Sequence, residues 1–496
     1  MSDTSLLKNS YDSLIREALL SLVKSLDSEV EKLRHIIRTA NRKTYVTKQD
    51  KIAASQVALF EVKGSETSPA PVIKIQGHER KQTRGRKPIS SLIPRERHEH
   101  YPEDMNCGSC GKEMKVIGEE VTEELDYIPS SFKVIEHARM KCACPNCKIG
   151  VEVGELPLVV QPIERARPGV GLLAYILVSK YVDHLPLYRL EQMFYRLGIT
   201  IHRQRMCDWV AEICKYLEPL YRELRKEILT AKYLQADETT IKVQDPEVKD
   251  KCLTGYLCSL HVPGVAGYFE YYGNRSAEAA LQLLDGFSGT VQTDLYAGYN
   301  AVLIPSTVER IACLAHIRRK FVDAHPTASS VCEEVLRRIK EIYSLEDSSL
   351  TIEARKSLRE TKSRPLLDAL RRYLEDASLR TLPKVPLAAA ISYALKQWRE
   401  VERIFESGDY HLDNNAIERQ IRPVALGRKN WLFAGSHAGA ARSAMIFSFF
   451  ATCKVHSVNP YEWLRDVLEK IAIPGFTARQ LLPHHWKAAQ NGGPAL

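Results

Sequence analysis

The chain has 496 residues, more than one hydrophobic core usually organises, so several domains are expected. Hydrophobic residues at 44% and charged residues at 26% exclude wholesale disorder, and the longest apolar runs, 170–178 and 444–451, are too short to span a bilayer. A net charge of +9, from 70 Lys and Arg against 61 Asp and Glu, permits a polyanionic partner without requiring one.

The chain begins Met1-Ser2-Asp3-Thr4, without the basic region and apolar core of a secretory signal, which predicts a cytoplasmic protein. In a reducing compartment its twelve cysteines read as thiols or metal ligands rather than disulfides. Apolar residues at Ile15, Leu19, Leu22, Leu26, Val30, Leu33 and Ile37 recur in steps of three and four and lay one stripe along a helix. The stripe fits a short coiled coil or an amphipathic helix packed on its own chain. From Lys48 to about Ser90 no hydrophobic period survives, and Gly64, Ser65, Ser68, Pro69 and Pro71 mark a linker. Its end is basic: Lys74, Arg80, Lys81, Arg84, Arg86, Lys87, Arg95 and Arg97 stand against Glu79 and Glu96. The core Arg84-Gly85-Arg86-Lys87-Pro88 reads either as a hook for the minor groove of A·T-rich DNA or as a solvated linker.

Two CxxC pairs follow, Cys107/Cys110 and Cys144/Cys147. Each pair offers two thiolates from one tight turn, and together they fill the tetrahedral shell of a structural Zn²⁺. Cys142 is a spare thiol that can enter the ligand set, and the strand-like Phe132–Ile135 predicts a small ribbon carrying the site. Beyond the proline-containing stretch 157–168 the pattern is helix, a short turn at Gly198-Ile199-Thr200, and helix. This predicts a helix-turn-helix with Arg203, Gln204 and Arg205 opening the second helix toward base edges, or a plain helical hairpin.

The residues 232–243 have the length and β-branched content of a strand with Asp237 in its middle. Strands are expected at 253–260 and 268–272, a helix capped by Ser276 through Leu284, and a strand at 290–294 ending in Asp294. Three antiparallel strands, a helix and a further strand are the opening of an RNase H-like fold. There the first and fourth strands are neighbours, so Asp237 and Asp294 meet. The run 411–423 supplies a third acid: Asp413 or Asn414 can cap a helix, Glu418 lies in its first turns, and Pro423 marks its end or a kink. Three carboxylates suit two divalent cations about 3.5–4 Å apart, shared between the attacking and leaving oxygens of a phosphoryl displacement. Such hard oxygen donors favour Mg²⁺ or Mn²⁺.

Ala236-Asp237-Glu238-Thr239, Gln292 to Tyr299, and Asp413-Asn414-Asn415 with Glu418-Arg419 and Ile421-Arg422-Pro423 resemble the catalytic motifs of the sixty-six family of bacterial insertion-sequence transposases. Cys313 to Phe321 resembles that family's His-Arg-Arg-Lys-Phe block, and 463–468 and 481–486 resemble its C-terminal segment. Leu295 stands where glycine is expected and Leu314 where tryptophan is expected. The resemblance covers nearly the whole chain. It implies a multidomain protein mixing α+β and α/β parts: a coiled-coil helix (1–47), a basic linker (48–100), a zinc-binding segment (101–157) and a helical DNA-binding domain (158–230). An RNase H-like catalytic domain (231–450) with a helical insertion at about 322–410 and a C-terminal helical segment (451–496) complete it.

The resemblance further implies that Asp237, Asp294 and Glu418 are the acidic triad of a DDE transposase, holding Mg²⁺ or Mn²⁺, two per site. His316 supports the site, and Arg84, Arg86, Lys87, Arg203, Arg205, Arg318, Arg319 and Arg422 contact DNA. The implied reaction is hydrolysis at an element end, freeing a 3′ hydroxyl that attacks target DNA. The implied partners are terminal inverted repeats, target DNA, a second copy of the chain and small accessory proteins, in the bacterial cytoplasm at the nucleoid. Two other functions fit the same residues: a structure-selective nuclease of RNase H-like type, and a zinc-containing DNA-binding protein with an inactive core.

Overall fold

A computed structural model describes residues 168–490, except 246, 249–250, 295 and 304–306, with short pieces at 73–75, 78–80, 131–143 (without 137 and 139) and 151–153. The described residues from 134 onward belong to one compact unit, and those at 73–80 and 131–133 to another. The stripe at 15–37, the basic hook at Arg84, Arg86 and Lys87, and all four paired cysteines lie outside the described residues.

Inside the stretch read as a linker, Ile73–Ile75 pairs antiparallel with His78–Arg80. In the zinc-binding segment the ribbon is formed by Lys141–Ala143 and Val151–Val153, not by 132–135. Cys142 sits in its first strand with its thiol exposed.

The larger unit is a mixed α/β structure around a five-stranded sheet. Its strands are β1 (Tyr233–Gln244), β2 (Cys252–Val262), β3 (Ala266–Tyr272), β4 (Gly289–Gln292) and β5 (Val308–Ile311), in the order β3-β2-β1-β4-β5. The β1–β2 and β2–β3 ladders are antiparallel, whereas β1–β4 and β4–β5 are parallel. Strand β1 is therefore central, and its first four residues are all buried. Parallel pairing of β4 beside β1 requires a crossover. Helix α4 (Ala277–Leu283) supplies it, and Ser276 caps that helix by accepting the N–H of Ala279 at 3.2 Å, as expected from the sequence.

Among the described residues, three helices precede the sheet in sequence: α1 (Val170–Tyr181), α2 (Leu187–Arg196) and α3 (Arg203–Leu229). Gly198, at φ +82°, ends α2 by a Schellman arrangement, with Ile199 N–H on Phe194 C=O and Gly198 N–H on Tyr195 C=O, both 3.0 Å. Helix α3 crosses onto the sheet: the Tyr221 hydroxyl donates to Phe269 C=O at 2.6 Å and its ring stacks 4.9 Å from that of Tyr268. Packing thus crosses the boundary expected near residue 230.

The outer edge of β3 would expose unpaired backbone groups. Helix α12 (His437–Val455) covers it with hydroxyls one turn apart. Ser448 accepts Phe269 N–H at 2.7 Å and donates to Phe269 C=O at 3.3 Å, while Thr452 treats Gly267 likewise at 3.2 and 3.1 Å. A side chain at position 267 would collide with Gln420 and Ala451, so only glycine allows this approach. Helix α12 is buried around most of its circumference, which accounts for the apolar run at 444–451. No described helix is long and apolar enough to cross a membrane.

After β5 come α5 (Leu314–Ala324), α6 (Ser329–Ser344), α7 (Ile352–Leu358), α8 (Arg364–Arg380), α9 (Pro386–Lys396) and α10 (Trp398–Ile404). Helices α6 and α8 fall within the stretch 322–410 expected to hold a helical insertion. They close a core of Val335, Ile339, Leu367, Leu370, Ile391 and Phe405 that is continuous with Ile311 and Phe321. Then follow α11 (Asn415–Trp431), α12, α13 (Pro460–Lys470) and α14 (Pro483–Gln490). Pro423 lies inside α11, which runs on to Trp431, so it marks no helix end.

Candidate active site

Gln235 and Gln292 face each other across the parallel β1–β4 ladder. Both side chains are fully buried, and a buried amide must find partners for its donors and acceptors. Gln292 Oε1 accepts from Gln235 Nε2 at 2.9 Å and from the Tyr233 hydroxyl at 2.6 Å. Its Nε2 donates to Ala312 C=O and His411 C=O, each at 2.9 Å. Gln235 donates to Asp413 C=O at 3.0 Å and accepts Ile417 N–H at 3.2 Å. Two strands and the entry to α11 are thereby tied into one satisfied network. Gln292→Leu strands several of these groups at once. Its expected cost is about 1–3 kcal/mol of unfolding free energy, read by urea denaturation of the full chain.

Asp237 and Asp294 each stand two residues beyond this glutamine pair. Asp237 is within β1, but Asp294 lies past the end of β4 rather than in a strand reaching it. The turn there is held by the Asp294 carboxylate, which accepts Tyr296 N–H at 2.9 Å. At the start of α11 the capping residue is Asn414, yet its side chain does not cap. Its Oδ1 accepts the Cys313 thiol at 2.9 Å, while the neighbouring Asp413 accepts Asn415 N–H at 3.0 Å and the Tyr343 hydroxyl at 2.8 Å.

Glu418, in the first turns of α11, faces α5. His316 and Arg319 are three residues apart and so share one side of α5. Their Nε2 and guanidinium lie 3.6 and 3.3 Å from the Glu418 carboxylate. Burial lowers the His316 pKa, and Glu418 opposes that shift. Arg318, expected on the DNA path, is only 7% exposed: the same helical geometry that turns Arg319 outward turns Arg318 into the core. Leu314 is likewise core, at 1% exposure.

The three acids interact. Burial, then the charges of Glu238, Asp294 and Glu418, push the Asp237 carboxyl up to about 8, against the backbone N–H of Glu238 at 2.8 Å. Glu238 is also raised by burial, and the Arg275 guanidinium opposes this. Arg275 forms an ion pair with Glu238, lies 4.0 Å from Asp294 and stacks 3.5 Å from the centre of the Tyr296 ring. The Tyr299 hydroxyl donates to Glu238 at 3.0 Å. Glu238, Tyr296 and Tyr299 lie within the sequence blocks quoted above, but their parts were not assigned. Arg275 reaches the acids only through the fold. Asp237 is set in buried surroundings while Asp294 and Glu418 keep 29% and 31% side-chain exposure, an anionic site that a divalent cation could enter and neutralise.

Of the other residues singled out, Arg203, Gln204 and Arg205 are exposed at the start of α3, and Arg422 is exposed on α11. The model of the Transposase IS66 family matches residues 165–442, which include β1 to β5 and all three acids. The chain belongs to that family. The zinc-finger binding domain of transposase IS66 matches residues 104–148, and the IS66 C-terminal element matches 448–484. This IS66-family transposase is 31% identical to the uncharacterized protein y4hP of Sinorhizobium fredii over 94% of its own length and 89% of the relative's. It is 31% identical to y4jD of the same organism over 97% and 98%, and 31% identical to y4qI over 95% and 91%.

Proposed function

We propose that this IS66-family transposase cleaves element ends and joins them to target DNA at Asp237, Asp294 and Glu418, using two Mg²⁺ or Mn²⁺ ions. The observation that carries the reading is the placement of Asp237 in buried surroundings within reach of the charges of Glu238, Asp294 and Glu418: burial first, and those charges next, raise its carboxyl to about 8 although one backbone N–H holds its charge. The donors are carboxylate oxygens, as hard cations require. Bound there, the metals would activate the attacking hydroxyl and stabilise the leaving oxygen. The protein's own part is positioning. The Gln235–Gln292 network holds both strands and the α11 entry, His316 and Arg319 orient Glu418, and Arg275 with Tyr296 and Tyr299 restrains Glu238 beside Asp237. The strand order, with β4 parallel beside a central β1, supports an RNase H-like core.

Zinc held by Cys107, Cys110, Cys144 and Cys147 belongs to this reading, as do a zipper at 15–37 that pairs two copies and DNA contacts from Arg84, Arg86, Lys87, Arg203, Arg205, Arg319 and Arg422. Arg422→Ala is expected to weaken binding of all sequences alike and reduce the slope of log K against log salt by about 0.9. Filter binding over a salt series reads this. Purified protein incubated with the element's accessory proteins, element-end DNA, a target plasmid and Mg²⁺ tests the function itself. Joined end–target products are expected; cleavage without joining would make the protein a nuclease, and binding without either would mark an inactive core.

A further inference from the structure

We propose that Glu227, His484 and His485 form a transition-metal site of the zinc class that clips the C-terminal helix α14 to the end of α3. Glu227 is in the last turn of α3, and the two histidines open α14. Their Nε2 atoms converge on one carboxylate: His484 lies 2.8 Å from Oε2 and His485 2.8 Å from Oε1. The three potential ligand atoms lie within 4.8 Å of one another, and among the described residues no other three His, Cys, Asp or Glu side chains gather so closely. A tetrahedral ion with bonds of about 2.0–2.1 Å separates its ligands by roughly 3.3 Å, so the site has only to open slightly.

Two imidazoles and a carboxylate, with a fourth position for water, are a zinc donor set rather than one for Mg²⁺ or Ca²⁺. All three side chains are mostly buried, at 19%, 11% and 16% exposure, so few rotamers must be frozen on binding. Zinc would replace the Nε2 protons that now bridge to the Glu227 carboxylate, each released to solvent or moved to Nδ1. The Arg479 Nε, 2.9 Å from Oε1, orients the carboxylate and leaves Oε2 to the metal.

The surrounding segment is firmly seated: Trp463 Nε1 donates to Leu481 C=O at 3.0 Å, and Trp486 Nε1 to Asp466 at 2.7 Å. Nearby charges are mixed. Lys487 bonds His456 C=O, and the His456 ring stacks 5.5 Å from that of His484. The site therefore joins residues 257 positions apart and fixes the C-terminal element against the sheet-packed helix.

The test uses the full chain, stripped with chelator and reloaded with Zn²⁺ in excess Mg²⁺ to keep hard-oxygen sites filled. After gel filtration, zinc is measured by mass spectrometry. The unmodified protein is expected to hold about one zinc more per chain than His484→Gln/His485→Gln or Glu227→Gln, since thiolate-bound zinc is common to all. Added zinc should raise the melting temperature of the unmodified protein more than that of the variants. Equal zinc content in folded proteins overturns the proposal and leaves a hydrogen-bonded clip. Where the variants fail to fold, Co²⁺ replaces Zn²⁺ in unmodified protein. A tetrahedral absorption band that remains after the thiols are alkylated supports the site, and its complete loss refutes it.

Discussion

Asp237→Asn, Asp294→Asn and Glu418→Gln are each expected to lower transposition of the complete element on the order of a thousand-fold, several kcal/mol of transition-state stabilisation. The substitutions keep size and remove charge. Because burial, with the neighbouring acids, disfavours a charge at Asp237 when no cation is present, a neutral Asn at that position avoids this penalty and leaves the fold at least as stable. The three acids act as one unit, so a double variant should be little worse than a single one. A mating-out assay reads insertion, and a gel shift with element ends reads binding, which should persist in every variant. Normal insertion by any of them would remove that residue from the site.

The second large effect concerns stability. Arg359→Leu is expected to cost about 3–5 kcal/mol, because it leaves a carboxylate and several carbonyls facing a buried gap. Arg359 is 1% exposed. Its guanidinium grips both Glu346 oxygens at 2.8 and 2.7 Å and donates to the carbonyls of Ile404 at 3.1 Å, Ser407, and Tyr410 at 2.8 Å. Those carbonyls shape the chain that runs into His411, Asp413 and α11, so the loss should reach Glu418 as well as the insertion. Urea denaturation with a midpoint close to that of the unmodified protein would contradict this.

Much of the central sheet is legible in the sequence because β1, β2 and β3 are long, rich in apolar, β-branched or aromatic residues and separated by turns. Strands β1, β2 and β3 each fall within a few residues of their expected bounds. Strand β5, four residues long, offers too short a pattern to be read. Asp294 was expected to end a strand. In fact β4 stops at Gln292, and the carboxylate holds the next turn instead. Pro423 reads as a helix end or a kink, and the end is excluded: packing of the buried Ile421 and Val424 carries α11 past it. Arg318 and Arg319 are indistinguishable as letters, and only the face of α5 separates a buried arginine from one beside Glu418.

The glutamine network, Arg275 and Arg359 have no local signature. Their partners lie tens to hundreds of positions away, as with Gln235 and Asp413, and only the fold brings them together. The expectation of an acidic triad rests on motif blocks in order, not on any one residue among the 61 acids of the chain.

The central claim is that three carboxylates gather divalent cations where DNA is cut. Anomalous diffraction from crystals of the full chain with an element-end DNA and Mn²⁺ tests it most directly. Two manganese peaks about 3.5–4 Å apart, ligated by Asp237, Asp294 and Glu418, are the expected result. Manganese ligated elsewhere, with these three carboxylates free of metal, would contradict the account.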